Sequence, residues 1–402
     1  MGFGGRTSLD VAWDLAMQPA PPSPKWTGHP VWLVGFRPFF PLASTAAALL
    51  PLVWLAVFTG KLPAPPSLPM TVWHAHEMFY GFGLAVLGGF LLTASKNWVS
   101  VRGHHGRALQ VLVAAWLLER VAVWFSFGSM VFLVAGNVFL LTLIALLAWT
   151  LIRHRATDSY QDNFLFLIVL PTFLVAKALM LGATTFELGR DLTLGLFRMA
   201  FVVMLERTLP PFMKGAFQLI LPRVFALDTA IKALALLLVF GPWLPGALRS
   251  GLSLLLAGLL VARFVAWSAH RALARVELAV MYLGGLALAA QLVVDATSFQ
   301  GVGALSVHLF TFGTMGLIIP AMMVRIAKGH TGRPVVFELL DQAALGLMVL
   351  AFFARVVAPQ VFPAWYYPFL WVAAGCWSAC FCLITVRITP LVLRPRIDGK
   401  EH

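Results

Sequence analysis

The segment Trp73-His74-Ala75-His76-Glu77-Met78-Phe79-Tyr80-Gly81-Phe82-Gly83 sets two imidazoles and a carboxylate inside an apolar run. Imidazole moves protons near neutral pH, ligates iron and copper, and is a common axial ligand of haem. On a helix, His74, Glu77 and Met78 share one face, and His76 and Tyr80 share nearly the opposite one, because residues two apart diverge by about 200°. His74 and His76 therefore read either as ligands of two neighbouring sites or as one ligand beside one hydrogen-bonding residue. A third histidine, in Val307-His308-Leu309-Phe310, opens a later apolar run, and Asp295 closes the run before it, where it could orient a ligand. Each histidine also suits a hydrogen-bonded structural role at a membrane interface, and Met78 suits packing. Gly81, Gly83, Gly88 and Gly89 leave room for a close helix or a flat macrocycle.

The elements that must position these groups follow from composition. Of 402 residues, 60% are hydrophobic and 11% are charged, against roughly 25% charged in an ordinary soluble domain. Mean hydropathy is +0.87. A water-soluble globule of this size could not hide that much apolar surface, and the alternation of a porin-like barrel is missing. The expected fold is all-α, a polytopic integral membrane helical bundle. Apolar spans fall near 36–58, 72–94, 108–127, 129–151, 163–183, 191–213, 226–245, 250–270, 276–297, 304–326, 335–357 and 364–389, about 12 transmembrane helices. Lys and Arg crowd alternate loops (Lys96, Arg102 and Arg107; Arg153 and Arg155; Lys214 and Arg223; Arg271 and Arg275; Arg325, Lys328 and Arg333), whereas the opposite loops hold Lys61, Arg190 and Arg249. That bias predicts both termini in the cytoplasm. It divides the chain into an N-terminal tail at 1–35, one transmembrane domain at 36–390 and a C-terminal tail at 391–402. The same bias accounts for the net charge of +13 without nucleic acid.

This topology puts His74, His76 and His308 at one external depth, a plausible metal or haem level. Toward the cytoplasmic side stand Arg37 in Phe36-Arg37-Pro38-Phe39-Phe40 and Arg207 after Glu206. Both arginines suit haem propionates or quinone oxygens, and equally suit anchors snorkelling to headgroups. Glu119, Arg120 and Lys177 lie deep, where a charge needs a partner or a water-filled cavity; they read as a polar pathway or as structural ion pairs. Cys376, Cys380 and Cys382 share the last span and read as helix-contact residues. No Walker loop, dinucleotide fingerprint or Ser-His-Asp arrangement is present, so no ATP site is expected.

Phe36-Arg37-Pro38-Phe39-Phe40, Trp73 to Met78 with the glycine-rich stretch to Ala94, Asn97-Trp98, and Leu305 to Arg333 with its Gly-His-Thr-Gly-Arg-Pro ending resemble the NnrS family. The resemblance implies a multi-pass protein of the bacterial inner membrane, found in denitrifying and other bacteria and linked to nitric oxide and nitrosative stress. It implies haem, here expected as haem b, and copper, with ligand roles falling on His74, His76 and His308. Arg37 and Arg207 become anion or propionate partners, and Glu77, Tyr80, Glu119, Arg120 and Asp295 become supporting or pathway residues. Glu277 stands where many members have a histidine, and Glu206 departs from the family's pattern beside Arg207. Whether the chain is an enzyme stays open: reduction of nitric oxide would need electrons, from quinol or another donor, and protons entering near Glu119. Two other functions fit the same sequence. One is a secondary transporter of a small anion or metal using Glu119, Arg120 and Lys177. The other is an assembly subunit of a respiratory complex.

Overall fold

A computed structural model describes residues 28–65, 68–299 and 301–400. The expected N-terminal tail lies almost wholly outside the described residues; its end forms a single 3₁₀ turn at Pro30–Trp32. Everything regular among the described residues is helical. The long helices are α1 Phe36–Phe58, α2 Met70–Trp98, α3 Arg107–Phe125, α4 Met130–Arg153, α5 Phe164–Leu181 and α6 Phe186–Phe217. They continue as α7 Phe225–Val239, α8 Gly246–Ala266, α9 Val276–Thr297, α10 Leu305–Gly329, α11 Leu339–Val361 and α12 Tyr366–Val392.

Among the described residues, ten helices are long and apolar enough to cross a bilayer. The two expected spans outside that set are helical but differ in kind. α7 has 15 residues, short of the about 20 that a straight crossing needs. α6 runs for 32 residues and carries Arg190, Asp191, Arg198, Glu206, Arg207 and Lys214 along its length.

Local chemistry explains several boundaries. Gly128, at φ +83°, makes the tight turn between α3 and α4, and the Ser129 hydroxyl accepts from the Phe132 N–H at the start of α4. Glu338 and Asp341 form a reciprocal capping box on α11. α12 packs along α1, where the Trp377 indole donates to the Ala47 carbonyl at 2.9 Å. α3 packs on α4, α5 on α6, and α9 on both α8 and α10. The glycines of α2 serve close packing. A Cβ at Gly83 would stand 2.9 Å from Met315 and Phe197, and one at Gly89 2.8 Å from the Cβ of Phe39. Of the two uses open to these glycines, the space is filled by neighbouring helices.

Three helices widen to π geometry: α2 at Glu77–Gly83, α10 at Leu309–Gly316 and α11 at Phe353–Val357. Such turns are rare and concentrate at functional sites. Here they flank one region of the bundle.

Candidate functional site

The three π segments surround a cavity of about 390 Å³ at the end of the bundle where α2, α10 and α12 begin, within the roughly 300–1,000 Å³ typical of small-molecule and cofactor sites. Its walls are mostly apolar, with Trp54, Phe58, Phe312 and Trp377 among them. Ionisable groups on it include His74 from α2, His308 from α10, Arg355 from α11, Arg190 from α6 and Tyr366 from α12. His74 packs on the Trp54 ring at 4.8 Å between centroids, and its buried Nδ1 has no hydrogen-bond partner among the described residues. The Nδ1 of His308 lies 3.0 Å from the Ala304 carbonyl. Donation there fixes the tautomer and leaves Nε2 with its lone pair, as in many ligating histidines. That Nε2 lies 3.3 Å from Nη2 of Arg355, and Nη2 also donates to the Gly303 carbonyl at 2.8 Å. Met78 lines the cavity as well, one turn below His74.

His76 is not in this cavity. It points to the opposite side of α2, fully buried, in a cluster of ionisable groups. Its Nδ1 meets Glu77 Oε1 at 3.0 Å, and its Nε2 stands 3.5 Å from Glu119 Oε1. The Tyr80 ring stacks on it at 5.4 Å, and the Tyr80 hydroxyl bonds Thr193 at 2.9 Å. Arg120 reaches Glu119 at 3.1 Å and Glu77 at 3.4 Å. Lys177 of α5 donates to both the Glu119 carboxylate and the Gly136 carbonyl. Two carboxylates thus face two cations, and the imidazole completes the set. Burying four charges costs several kcal/mol per ion unless each is paired, and here each is.

The other sequence candidates stand elsewhere. Asp295 binds Gln291 at 2.6 Å and Ser306, and faces Arg198 at 3.7 Å. Arg37 is fully buried, and its Nη1 donates to the Val392 and Arg394 carbonyls at 2.7 and 2.9 Å, satisfying free acceptors at the end of α12. Arg207 donates to Asn163 at 2.6 Å and Asp162 at 2.7 Å. Its guanidinium lies between Trp98 and Tyr160, at 4.4 and 4.3 Å from their centroids. Lys232 joins Asp162 to Glu206. Glu277 faces Arg275 at 3.8 Å. Neither Arg37 nor Arg207 lines the cavity; the arginines that do are Arg355 and Arg190. The sequence reading missed Arg355. Its one signal was a lone arginine inside the eleventh apolar span, the signature of an interfacial anchor too.

Haem iron receives four ligands from its own macrocycle and needs one or two imidazoles from the protein. His74 and His308 on one apolar cavity fit that need. Among the described residues no three His, Cys, Asp or Glu side chains are grouped to hold a metal ion. The three cysteines are free and differ in exposure, one buried, one intermediate and one exposed.

Fold and site together define a multi-pass helical membrane protein with an apolar, imidazole-bearing cavity. The family described as NnrS protein matches residues 30–396, and the chain belongs to it. No curated protein matches the chain.

Proposed function

We propose that the chain is a haem-binding protein of the bacterial inner membrane that handles nitric oxide, holding haem b in the cavity through His74 and His308. The observation that carries this reading is the convergence of two imidazoles on one apolar cavity, one of them with a buried ring nitrogen that has no hydrogen-bond partner among the described residues. Family membership suggests the nitric oxide response, and haem iron, when bound, takes that gas as a direct ligand.

The chain's own residues supply the setting. Donation from His308 Nδ1 to the Ala304 carbonyl orients the ring. Trp54 holds the plane of His74. The apolar walls favour a small uncharged gas. Arg355 lies against His308 and must turn aside for Nε2 to ligate. His76 takes the hydrogen-bonding role of the two that its spacing left open. The proposal rests on haem, since among the described residues no three His, Cys, Asp or Glu side chains are grouped for a second metal. The mutual pairing of Glu119, Arg120 and Lys177 favours this reading over transport through those groups. Twelve crossings with both termini in the cytoplasm complete the proposal.

The test is the absorption spectrum of detergent-purified protein, oxidised and then reduced with dithionite. The expected result is a Soret band that sharpens on reduction and shifts with nitric oxide. Colourless protein from cells supplied with haem would overturn the reading.

A further inference from the structure

The cavity holds a charge that no carboxylate among the described residues balances. Arg355 is 6% exposed, and among the described residues it forms no ion pair. Its Nη2 is engaged by the Gly303 carbonyl and His308, and the neutral Tyr366 side chain lies beside the guanidinium, but among the described residues its buried Nη1 makes no hydrogen bond of good geometry. The second arginine on the cavity, Arg190, is already neutralised by Glu187 and by Asp191 at 2.9 Å. No aspartate or glutamate lines the cavity among the described residues. A buried guanidinium without a counter-charge is costly, and a neutral acceptor would satisfy its hydrogen bonds while leaving the charge standing. The N–H groups of Nη1 remain to donate to the oxygens of an anion, a charge-assisted hydrogen bond.

We propose that the cavity binds a planar monovalent oxyanion of carboxylate type on Arg355, either free in solution or as the carboxylate of a larger molecule seated in the cavity. The backbone prepares the site. Gly303 has a φ of +71° and Ala304 of +52°, and this left-handed pair aims the Gly303 carbonyl at one edge of the guanidinium, leaving Nη1 to the ligand. The proposal shares its cavity with the haem reading but stands on Arg355 rather than on the imidazoles.

The test is the thermal midpoint of the full-length purified protein titrated with sodium formate at constant ionic strength, sodium chloride replacing formate. Haem-free and haem-loaded preparations are compared. A saturable rise in haem-free wild type, absent in Arg355→Gln and at least tenfold weaker in formate affinity in Arg355→Lys, supports the proposal. Arg190→Gln keeps the response. If the haem-loaded protein no longer responds, the natural occupant is a carboxylate of the bound molecule; if it responds and its Soret band moves, the occupant is a free oxyanion. No saturable rise in wild type, or an equal rise in Arg355→Gln, overturns the proposal. Protein that takes up no haem but responds to formate through Arg355 would sink the haem reading alone.

Discussion

Nε2 of His76 stands 3.5 Å from Oε1 of Glu119, inside a cluster that also holds Lys177 and Arg120. His76 thereby belongs to the framework that ties α2 to α3 and α5, whereas His74, two residues earlier, faces the cavity. The two histidines should separate experimentally. His74→Ala and His308→Ala are expected to lose haem per folded protein. His76→Ala is expected to keep it while destabilising the fold by about 1–3 kcal/mol, read as a lower thermal midpoint, for the buried partners it leaves unpaired. Haem-to-protein ratio and melting of the same samples decide the matter; equal haem loss in all three variants would place His76 at the metal.

The Lys177–Glu119 pair is expected to behave as a unit. Removing one member leaves a buried charge exposed to its neighbours, a cost of about 3–5 kcal/mol. Lys177→Met and Glu119→Gln should each sharply reduce the yield of folded protein, and the double variant should recover part of that loss. A strictly additive double variant would mean that the two groups do not interact in the bilayer.

Arg207 should not tolerate lysine. Lysine keeps the charge but loses the two-pronged donation to Asn163 and Asp162 and the stacking between Trp98 and Tyr160. Arg207→Lys is expected to lower stability by about 1–3 kcal/mol with haem content per folded protein unchanged. Loss of haem at unchanged melting would instead give Arg207 a direct part in binding.

Gly303 admits no side chain. A Cβ there would meet Tyr366 at 2.7 Å and Nη1 of Arg355 at 2.9 Å, and the left-handed backbone adds about 1–2 kcal/mol for any L residue. Gly303→Ala is therefore expected to lower both the melting temperature and the formate response. An unchanged formate titration would show that Arg355 is positioned by other contacts.

Much of this arrangement is legible in the sequence, and the reasons differ residue by residue. Apolar run length locates most helices because the bilayer fixes the length of a crossing. Four-residue spacing correctly aligns His74 with Met78 and His76 with Tyr80. It misplaces Glu77, whose carboxylate turns to the imidazole of His76 and the guanidinium of Arg120 rather than sharing the His74 side. The pairing of Lys177 with Glu119 joins helices distant in sequence, and no periodicity within one helix reveals it. Arg37 and Arg207 have the composition of ligand-binding arginines, yet their partners are carbonyls, an amide, a carboxylate and aromatic rings that only packing brings to them. Arg355 carries the converse ambiguity, reading as an anchor while lying buried in the cavity wall.

The wide turns beside the cavity have a consequence for how its chemistry is inherited. His308 immediately precedes one, His74 stands just ahead of another, and Arg355 lies within the third. Each such turn holds a residue that a regular helix would not need. Deleting one residue from Leu309–Gly316 would leave His74, His308 and Arg355 in the chain but remove the wide turn that presents Thr311 and Phe312 to the cavity. The cavity's ligands are thus specified by helix phase as much as by amino-acid identity. A homologous chain could keep all three residues and still lose the site through a single-codon deletion in any of three helices.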